Sequence, residues 1–314
     1  MKIHNKIDDF AGSGYTVATV GTFDGLHIGH QKIIARMKEV AAAKNGTTVL
    51  ITFEPHPRIV LNSAPEELRF ITSQKRKFRL LEQFELDHII VIPFTIAFAK
   101  TPSEVFIRDY LVKQVGVKML IVGYDHHFGK NREGNYEQLY MLSKKLGFDV
   151  EEIPAQFLGE IPVSSTKIRA ALNEGNVSKA NQMLGYEYSI AGKVVPGDRI
   201  GRTIGFPTAN IDVEDKLKLI AASGVYACRV EIGGNFFGGM ANIGTRPTLG
   251  KDILVTEVHI FDFQREIYDE KIIIYLIDRI RDEKKFESLE ALREQLVIDQ
   301  KEAIRIISTS GRIL

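Results

Sequence analysis

The chain has 314 residues, 44% of them hydrophobic, a length and composition that suit about two domains with well-formed cores. Lys and Arg number 41 and Asp and Glu number 40, so the net charge of +1 provides no overall basic field for nucleic acid. The single cysteine, Cys228, excludes an intrachain disulfide, and no apolar run is long enough to cross a bilayer. We therefore expect a cytoplasmic protein without a membrane partner.

The first half of the chain alternates apolar strand-like runs with helix-like runs. Strands are predicted at 15–20, 47–53, 89–92, 117–122 and 148–153, with apolar residues at helical spacing between them. This alternation is typical of a Rossmann-like, doubly wound parallel sheet. With the usual strand order 3-2-1-4-5, the first and fourth strands are neighbours, and ligands bind beyond their carboxyl ends.

The turn after the first strand is the most distinctive stretch, Gly21-Thr22-Phe23-Asp24-Gly25-Leu26-His27-Ile28-Gly29-His30. Its glycines allow the backbone to approach a phosphate, and the helix that follows directs N–H groups at negative charge. His27 and His30 are three residues apart, so both imidazoles lie on one side of the helix start and can stabilise charge on a phosphate. Surface histidines or metal ligands are the alternatives, although a metal site would need a third local ligand.

Two later segments supply further anion-binding groups. The loop after the fourth strand contains Asp125 and Phe128, and the assumed strand order brings it near His27. The segment Ser164-Ser165-Thr166-Lys167-Ile168-Arg169 opens a short helix with hydroxyls and two cations, which suits a triphosphate or a departing pyrophosphate. An ordinary serine N-cap with solvated Lys167 and Arg169 is the alternative.

These strings resemble the signatures of the small nucleotidyltransferases, whose HIGH core also occurs in class I aminoacyl-tRNA synthetases. The resemblance implies that His27 and His30 are catalytic. It implies that ATP binds to Gly21, Thr22, Phe23, Asp24, Gly25, Asp125, Phe128, Ser164, Ser165, Thr166, Lys167 and Arg169. The commoner family pattern after the fourth strand reads GDDFRFG, whereas this chain has His126 and His127 at the altered positions, so their roles stay open.

Near residue 185 the pattern changes to short strands. They are predicted at 188–195, 225–232, 236–241, 253–263 and 271–277, with Gly233-Gly234-Asn235 as a tight hairpin turn. A final amphipathic helix is predicted over 288–307. Together these elements predict a small closed β-barrel of roughly six strands with a C-terminal helix. We place the domain boundary between 184 and 185, which gives domains 1–184 and 185–314.

A glycine-rich stretch near the start of the second half carries charged and hydroxyl side chains. Gly197, Gly201 and Gly205 are four residues apart with arginines between them, which suits phosphate binding. Thr208 and Asn210 share one face of an extended segment, where two neutral oxygens suit Mg²⁺ that also binds ATP phosphates. A glycine-rich surface loop is the alternative.

The run Gly205-Phe206-Pro207-Thr208-Ala209-Asn210, with Gly224-Val225-Tyr226-Ala227 and Asn242-Ile243-Gly244-Thr245-Arg246-Pro247-Thr248, resembles the riboflavin kinase family. The resemblance implies that nucleotide and flavin bind to Gly201, Arg202, Gly205, Pro207, Thr208 and Asn210, with Thr208 and Asn210 as the metal ligands. Glu257 matches the family's catalytic general base, although a solvated strand-face carboxylate is the alternative. Either face of its strand can pack inward, so its surroundings stay open.

Both halves together resemble the bacterial bifunctional riboflavin kinase/FAD synthetase family over essentially the whole chain. The resemblance implies that the C-terminal domain makes FMN from riboflavin and MgATP, and that the N-terminal domain makes FAD and pyrophosphate from FMN and MgATP. Two alternatives remain, a class I aminoacyl-tRNA synthetase fragment and a non-catalytic flavin sensor.

Overall fold

The computed structural model describes residues 1–12, 14–61, 68–124, 128–129, 134–248 and 251–310. The chain divides into two compact units, Met1–Ser164 and Ser165–Leu314. None of the helices in these described ranges combines the length and the apolar character that crossing a membrane requires.

The first unit contains a parallel sheet. Its strands are β1 (Lys2–His4), β2 (Thr16–Val20), β3 (Thr47–Glu54), β4 (His88–Pro93), β5 (Val117–Gly123) and β6 (Asp149–Ile153). In the described residues they form one six-stranded sheet in the order β1-β4-β3-β2-β5-β6. The predicted order is confirmed for β2 to β6, while the edge strand β1 was not predicted. β1 is three residues long, too short for a periodic pattern, and it is defined by its pairing with β4.

Helices connect the strands of this sheet. They are α1 (Ile28–Ala43), α2 (Pro57–Val60), α3 (Gln74–Glu82), α4 (Ile96–Ala99), α5 (Ser103–Val105), a π-helix (Phe106–Gln114) and α6 (Tyr136–Leu146). A 3-10 helix spans Ile7–Asp9, and a short hairpin pairs β7 (Phe157–Leu158) with β8 (Ile161–Pro162). Every residue of β2 is buried, as expected for a central parallel strand covered on both faces. The loop that follows β2 therefore starts from a rigid support.

The second unit contains a closed antiparallel barrel. Its strands are β9 (Ser189–Val195), β10 (Ala209–Val213), β11 (Gly224–Ile232), β12 (Asn235–Thr248), β13 (Lys251–Ile260) and β14 (Lys271–Arg281). They close in the order β10-β13-β12-β11-β14-β9, which confirms the predicted barrel. Gly233 and Gly234 form the predicted turn with φ of 57° and 85°, the left-handed region that hairpin turns require. β10 was not among the predicted strands.

The described residues of the second unit also form the helices α7 (Ser165–Asn173), α8 (Val177–Leu184), α9 (Ile200–Thr203) and α10 (Leu289–Thr309). α8 is fastened to the barrel by Asn181, whose Nδ2 donates to the carbonyl of Leu276 at 2.9 Å and whose Oδ1 accepts from the backbone N of Tyr188 at 2.7 Å. The backbone N of Ala222 donates to the carbonyl of Leu172 in α7 at 2.9 Å. The compact unit thus begins with α7 at Ser165, whereas the predicted domain boundary lies at the end of α8.

The C-terminal helix α10 covers one outer face of the barrel. Its Ala303 and Ile306 are buried in a cluster with Phe206, Val225 and Met240. Asp299 is 1% exposed and accepts hydrogen bonds from Arg281 of β14, with Nη2 to Oδ2 at 2.8 Å. This buried ion pair fixes the angle between α10 and β14, since a movement of either partner would leave the other buried without its hydrogen bonds.

Candidate active sites

The first candidate site is the turn between β2 and α1, where His27 caps the helix. Its Nδ1 accepts a hydrogen bond from the backbone N of His30 at 3.4 Å, so the proton of a neutral His27 ring lies on Nε2. The two imidazole rings are stacked, with centroids 3.7 Å apart and planes inclined by 15°. The prediction that both histidines lie side by side at the helix start is confirmed. The helix α1 begins at Ile28, directly after His27.

The turn is held in an unusual backbone conformation by the loop that precedes α3. Phe23, Gly25 and Leu26 have φ of 51°, 84° and 39°. Oδ1 of the buried Asp24 accepts from the backbone N of Thr72 at 3.0 Å, and the N of Gly25 donates to the Thr72 hydroxyl at 3.1 Å. These buried hydrogen bonds stabilise a conformation that costs free energy in an isolated peptide. Asp24 therefore holds the turn in place.

His30 is the more strongly perturbed of the two histidines. The residue as a whole is partly exposed, but its Nδ1 is buried and has no hydrogen-bond partner among the described residues. Burial, the neighbouring His27 and the charge of Lys77 hold the pKa of His30 well below its usual range. At neutral pH His30 is therefore an uncharged imidazole. It can donate a hydrogen bond to a phosphate oxygen without carrying a full charge itself.

The other residues predicted for this site have varied surroundings. Gly21 donates its N–H to the carbonyl of Ile51 at 3.0 Å, and Thr22 accepts from Lys77 through its carbonyl. Phe128 is buried in the sheet core. Asp125, like His126 and His127, lies outside the described residues.

The predicted pyrophosphate-binding segment straddles the two compact units, because Ser164 ends the first and Ser165 begins both α7 and the second. Thr166 and Lys167 are exposed, Arg169 is partly exposed, and Ile168 between them is fully buried. This alternation leaves the polar side chains of the first helical turn accessible to a ligand. Their role toward ATP stays a prediction.

The second candidate site is a cavity of about 340 Å³ on the barrel. Its wall includes Gly201, Thr208, Asn210 and Glu257, four of the residues predicted for the kinase site. It also includes residues that were not predicted, among them Asn242, His259, Arg281, Glu283, Phe286 and Leu292. The unpredicted residues come from β12, β13, β14, the loop after β14 and α10, which sequence spacing does not relate to the glycine-rich loop.

Strand pairing decides which face of β13 carries Glu257. Thr256 and Val258, on the even-numbered face, are 3% and 1% exposed. Glu257 pairs with Asn210 of β10 and with Asn242 of β12, so these three side chains share the face that lines the cavity. The sequence left open which face of β13 packs inward. In the structure the even-numbered face is the buried one, and the Glu257 carboxylate lies on the face toward the glycine-rich loop before β10.

His259 is a site residue that the sequence reasoning missed. It lies two residues beyond Glu257 on the same face, and its Nδ1 donates to the carbonyl of Pro207 at 2.8 Å. Its ring also meets the edge of Phe206, at 5.2 Å between centroids. Burial lowers the pKa of His259, although the hydrogen bond to Pro207 opposes this effect. His259 thereby ties the loop before Thr208 to the strand that carries Glu257.

Three predicted kinase residues lie outside the cavity wall. Arg202 is exposed and pairs with Glu266 at 3.6 Å between Nη2 and Oε1. Gly205, with φ of 85°, and Pro207 are exposed and form the turn that leads into β10. Arg199, rather than Arg202, is the arginine of the glycine-rich stretch that lines the cavity.

Two family models match the chain, one in each half. A model described as FAD synthetase matches residues 11–167, and one described as riboflavin kinase matches residues 184–307. Among curated proteins, the bifunctional riboflavin kinase/FMN adenylyltransferase of Listeria monocytogenes is 38% identical over 91% of this chain and 90% of its own. The proteins of the same name from Escherichia coli K12 and Bacillus subtilis are each 37% identical, covering 90% and 93% of this chain and the same shares of their own.

A solved structure is similar over nearly the whole chain. The crystal structure titled macrolide-efflux protein from Streptococcus pneumoniae has a TM-score of 0.88 and 31% sequence identity, and it covers 96% of this chain and 98% of its own. The similarity extends across both units, so that protein contains the same two units in the same order.

Proposed function

The chain belongs to the family of bifunctional riboflavin kinase/FMN adenylyltransferases, and from this premise we propose which residues perform each reaction. The enzyme phosphorylates riboflavin to FMN with ATP and then transfers AMP from a second ATP to FMN, which yields FAD and pyrophosphate. We assign the kinase to residues 185–314 and the adenylyltransferase to residues 1–184.

In the kinase reaction, the 5′-hydroxyl oxygen of riboflavin attacks the γ-phosphorus of ATP, the bond from that phosphorus to the β–γ bridging oxygen breaks, and ADP leaves. Glu257 accepts the hydroxyl proton. Its carboxylate lies on the cavity wall among Thr208, Asn210 and Asn242, within reach of a substrate in the cavity. Phosphoryl transfer demands mainly positioning and charge neutralisation, and one group that orients or deprotonates the nucleophile is sufficient.

The kinase cavity fits a magnesium ion that arrives with ATP. Thr208 and Asn210 present neutral oxygens on one wall, and the Thr208 hydroxyl lies 3.5 Å from a Glu257 oxygen. The described residues contain no cluster of three or more His, Cys, Asp or Glu side chains that could hold a metal alone. This donor set suits Mg²⁺, which takes few protein ligands and completes its shell with phosphates and water. When bound, the ion neutralises charge on the transferred phosphoryl group.

In the adenylyl transfer, a phosphate oxygen of FMN attacks the α-phosphorus of ATP, and the bond from that phosphorus to the α–β bridging oxygen breaks, releasing pyrophosphate. The nucleophile is already an anion, so a strong base is unnecessary. His27 and His30 donate hydrogen bonds to the phosphoryl oxygens as charge builds up in the transition state. Ser164, Ser165, Thr166, Lys167 and Arg169 bind the phosphates that leave.

The single observation that carries the proposal is the convergence of Glu257, Thr208 and Asn210 in one cavity, from segments nearly 50 residues apart. The matching test is to incubate the purified protein with riboflavin and MgATP and to follow FMN and FAD by chromatography. Formation of FMN first and FAD second is expected. Aminoacylation of tRNA, or stoichiometric flavin binding without turnover, would overturn the proposal.

We also propose that both reactions take place in the cytoplasm. The buried, unpaired thiol of Cys228 suits a reducing compartment that supplies ATP. Cell fractionation followed by the FMN and FAD assays tests this location.

A further inference from the structure

A lysine is buried directly behind the histidine turn of the first unit. Lys77, on α3, is only 8% exposed, although an ordinary lysine keeps its ammonium group in water. Its Nζ donates to the carbonyl of Thr22 at 3.2 Å and to the hydroxyl of Thr52 at 3.3 Å. Thr22 belongs to the turn before His27, and Thr52 is a fully buried residue of β3. One side chain thus joins a helix, a strand and the turn.

Opposing influences act on the charge of Lys77. Burial lowers the pKa of Lys77, while the carboxylates of Glu54 and Asp24 favour its protonated form. Lys77 in turn acts on the site, since its charge and that of His27 are two of the three causes that lower the pKa of His30. The lysine therefore lies close enough to His30 to lower its pKa.

We propose that Lys77 is a positioning residue of adenylyl transfer, which holds the Thr22 carbonyl in place and sets its positive charge beside His27 and His30. The inference rests on the proposed function of this site. Lys77 belongs to none of the sequence motifs described above, since it lies 47 positions after His30. It contacts the turn through the backbone carbonyl of Thr22.

Two physical consequences follow from this placement. The hydrogen bond to Thr22 restrains the turn, and a displacement of a catalytic turn by about 1 Å can cost roughly a hundredfold in rate. The charge helps to keep His30 neutral, since a protonated His30 ring would be repelled by the ammonium group. A neutral His30 then stays available as a hydrogen-bond donor while the lysine charge attracts the α-phosphate.

The test compares the Lys77→Met and Lys75→Met variants of the full chain. Methionine fills a similar volume without leaving a buried charge, and Lys75 is an exposed lysine on the same helix. FAD formation from supplied FMN is measured between about pH 4.5 and 8.5, a range that extends well below the pKa of an ordinary histidine because the pKa of His30 is lowered. FMN formation from riboflavin is measured in the same samples. Wild-type protein that makes no FAD would refute the proposed function itself, separately from the role of Lys77.

We expect Lys77→Met to lower the rate of FAD formation by about a hundredfold and to leave the rate of FMN formation within about twofold of wild type. For the control Lys75→Met, we expect both rates to stay within about twofold of wild type. The acidic limb of the FAD profile should move to higher pH, because the loss of the lysine charge raises the pKa of His30. A normal FAD rate, or a reduced rate with an unchanged acidic limb, would overturn the proposal.

A second variant covers the case in which Lys77→Met fails to fold. Thr52→Val keeps the lysine and its charge but removes one of the two acceptors. It should lower the FAD rate by about tenfold with no change in the acidic limb. A wild-type FAD rate for Thr52→Val, alongside an unfolded Lys77→Met, would overturn the proposal as well.

Discussion

Thr208 donates its hydroxyl hydrogen to Glu257, with 3.5 Å between Oγ1 and Oε2, although 49 residues separate them in the chain. In the barrel Glu257 also lies opposite Asn210 on one side and Asn242 on the other. A carboxylate is therefore surrounded by three neutral polar side chains on the wall of one cavity. This arrangement leads to the first two predictions.

Glu257→Gln should remove kinase activity and spare FMN adenylylation. Glutamine keeps the shape and can still hydrogen-bond a hydroxyl, but it accepts no proton, and a positioned general base contributes roughly 10²–10⁴ in rate. The measurement supplies riboflavin and FMN separately, each with MgATP. Glu294→Gln, which changes an exposed carboxylate on α10, is the matched control. Near-normal FMN formation by Glu257→Gln would place the base elsewhere.

Thr208→Val should raise the free Mg²⁺ concentration needed for half-maximal FMN formation by about tenfold or more, since loss of metal-site groups typically weakens metal affinity by 10–100-fold. Valine has nearly the same volume as threonine but offers no oxygen. The check is a magnesium titration of both activities in one preparation. The magnesium dependence of FAD formation should be unchanged, and an equal shift in both would show that Thr208 is not specific to the kinase.

His259→Leu should raise the KM for MgATP in the kinase reaction by about tenfold with a smaller change in the KM for riboflavin. The reason is that His259 holds the Pro207 carbonyl, and Thr208 follows directly. His259→Asn should retain more activity, because its amide N–H lies near the position of Nδ1–H. FAD formation from supplied FMN is the internal control. Identical losses in both variants would argue against the hydrogen bond to Pro207.

His27→Ala and His30→Ala should each lower FAD formation by about 10²–10³ while riboflavin phosphorylation stays near normal, because each removes one donor to the developing charge. The two rings stack at 3.7 Å, so each substitution also removes support for the other. The double variant should therefore lose less than the product of the two single losses. Parallel loss of both activities in a folded variant would tie these histidines to the kinase or to general stability.

A fragment that starts at Ser165 should be more stable than one that starts at Gly185, although both contain the whole barrel. The shorter fragment lacks α7 and α8, and with them the fully buried side chains of Val177, Ala180, Met183 and Leu184. Loss of this much apolar burial costs several kcal/mol and should lower Tm by more than about 10 °C. Thermal unfolding and FMN formation by both fragments test this, and equal Tm values would favour the boundary at 184/185.

Much of the fold could be predicted because the signals are local. The alternation of strands and helices in the first half follows from hydrophobic periodicity, and the order of β2 to β6 follows from the general rule for doubly wound sheets. That His27 and His30 lie on one side of the helix start could be predicted for the same reason, from their spacing of three residues, whereas the stacking of the two rings is seen only in the structure. The closed barrel was inferred from strand spacing and a two-glycine turn.

Tertiary structure alone decided the contacts that join distant segments. Lys77 donates a hydrogen bond to the backbone carbonyl of Thr22, and His259 donates one to the backbone carbonyl of Pro207. Because every residue has a backbone carbonyl, the residue type at the acceptor position gives no sign of such a contact. The side of β13 that carries Glu257 was equally undecidable, because a period of two defines two faces without saying which is covered. Pairing with β10 and β12 made that choice, since it set Glu257 beside Asn210 and Asn242.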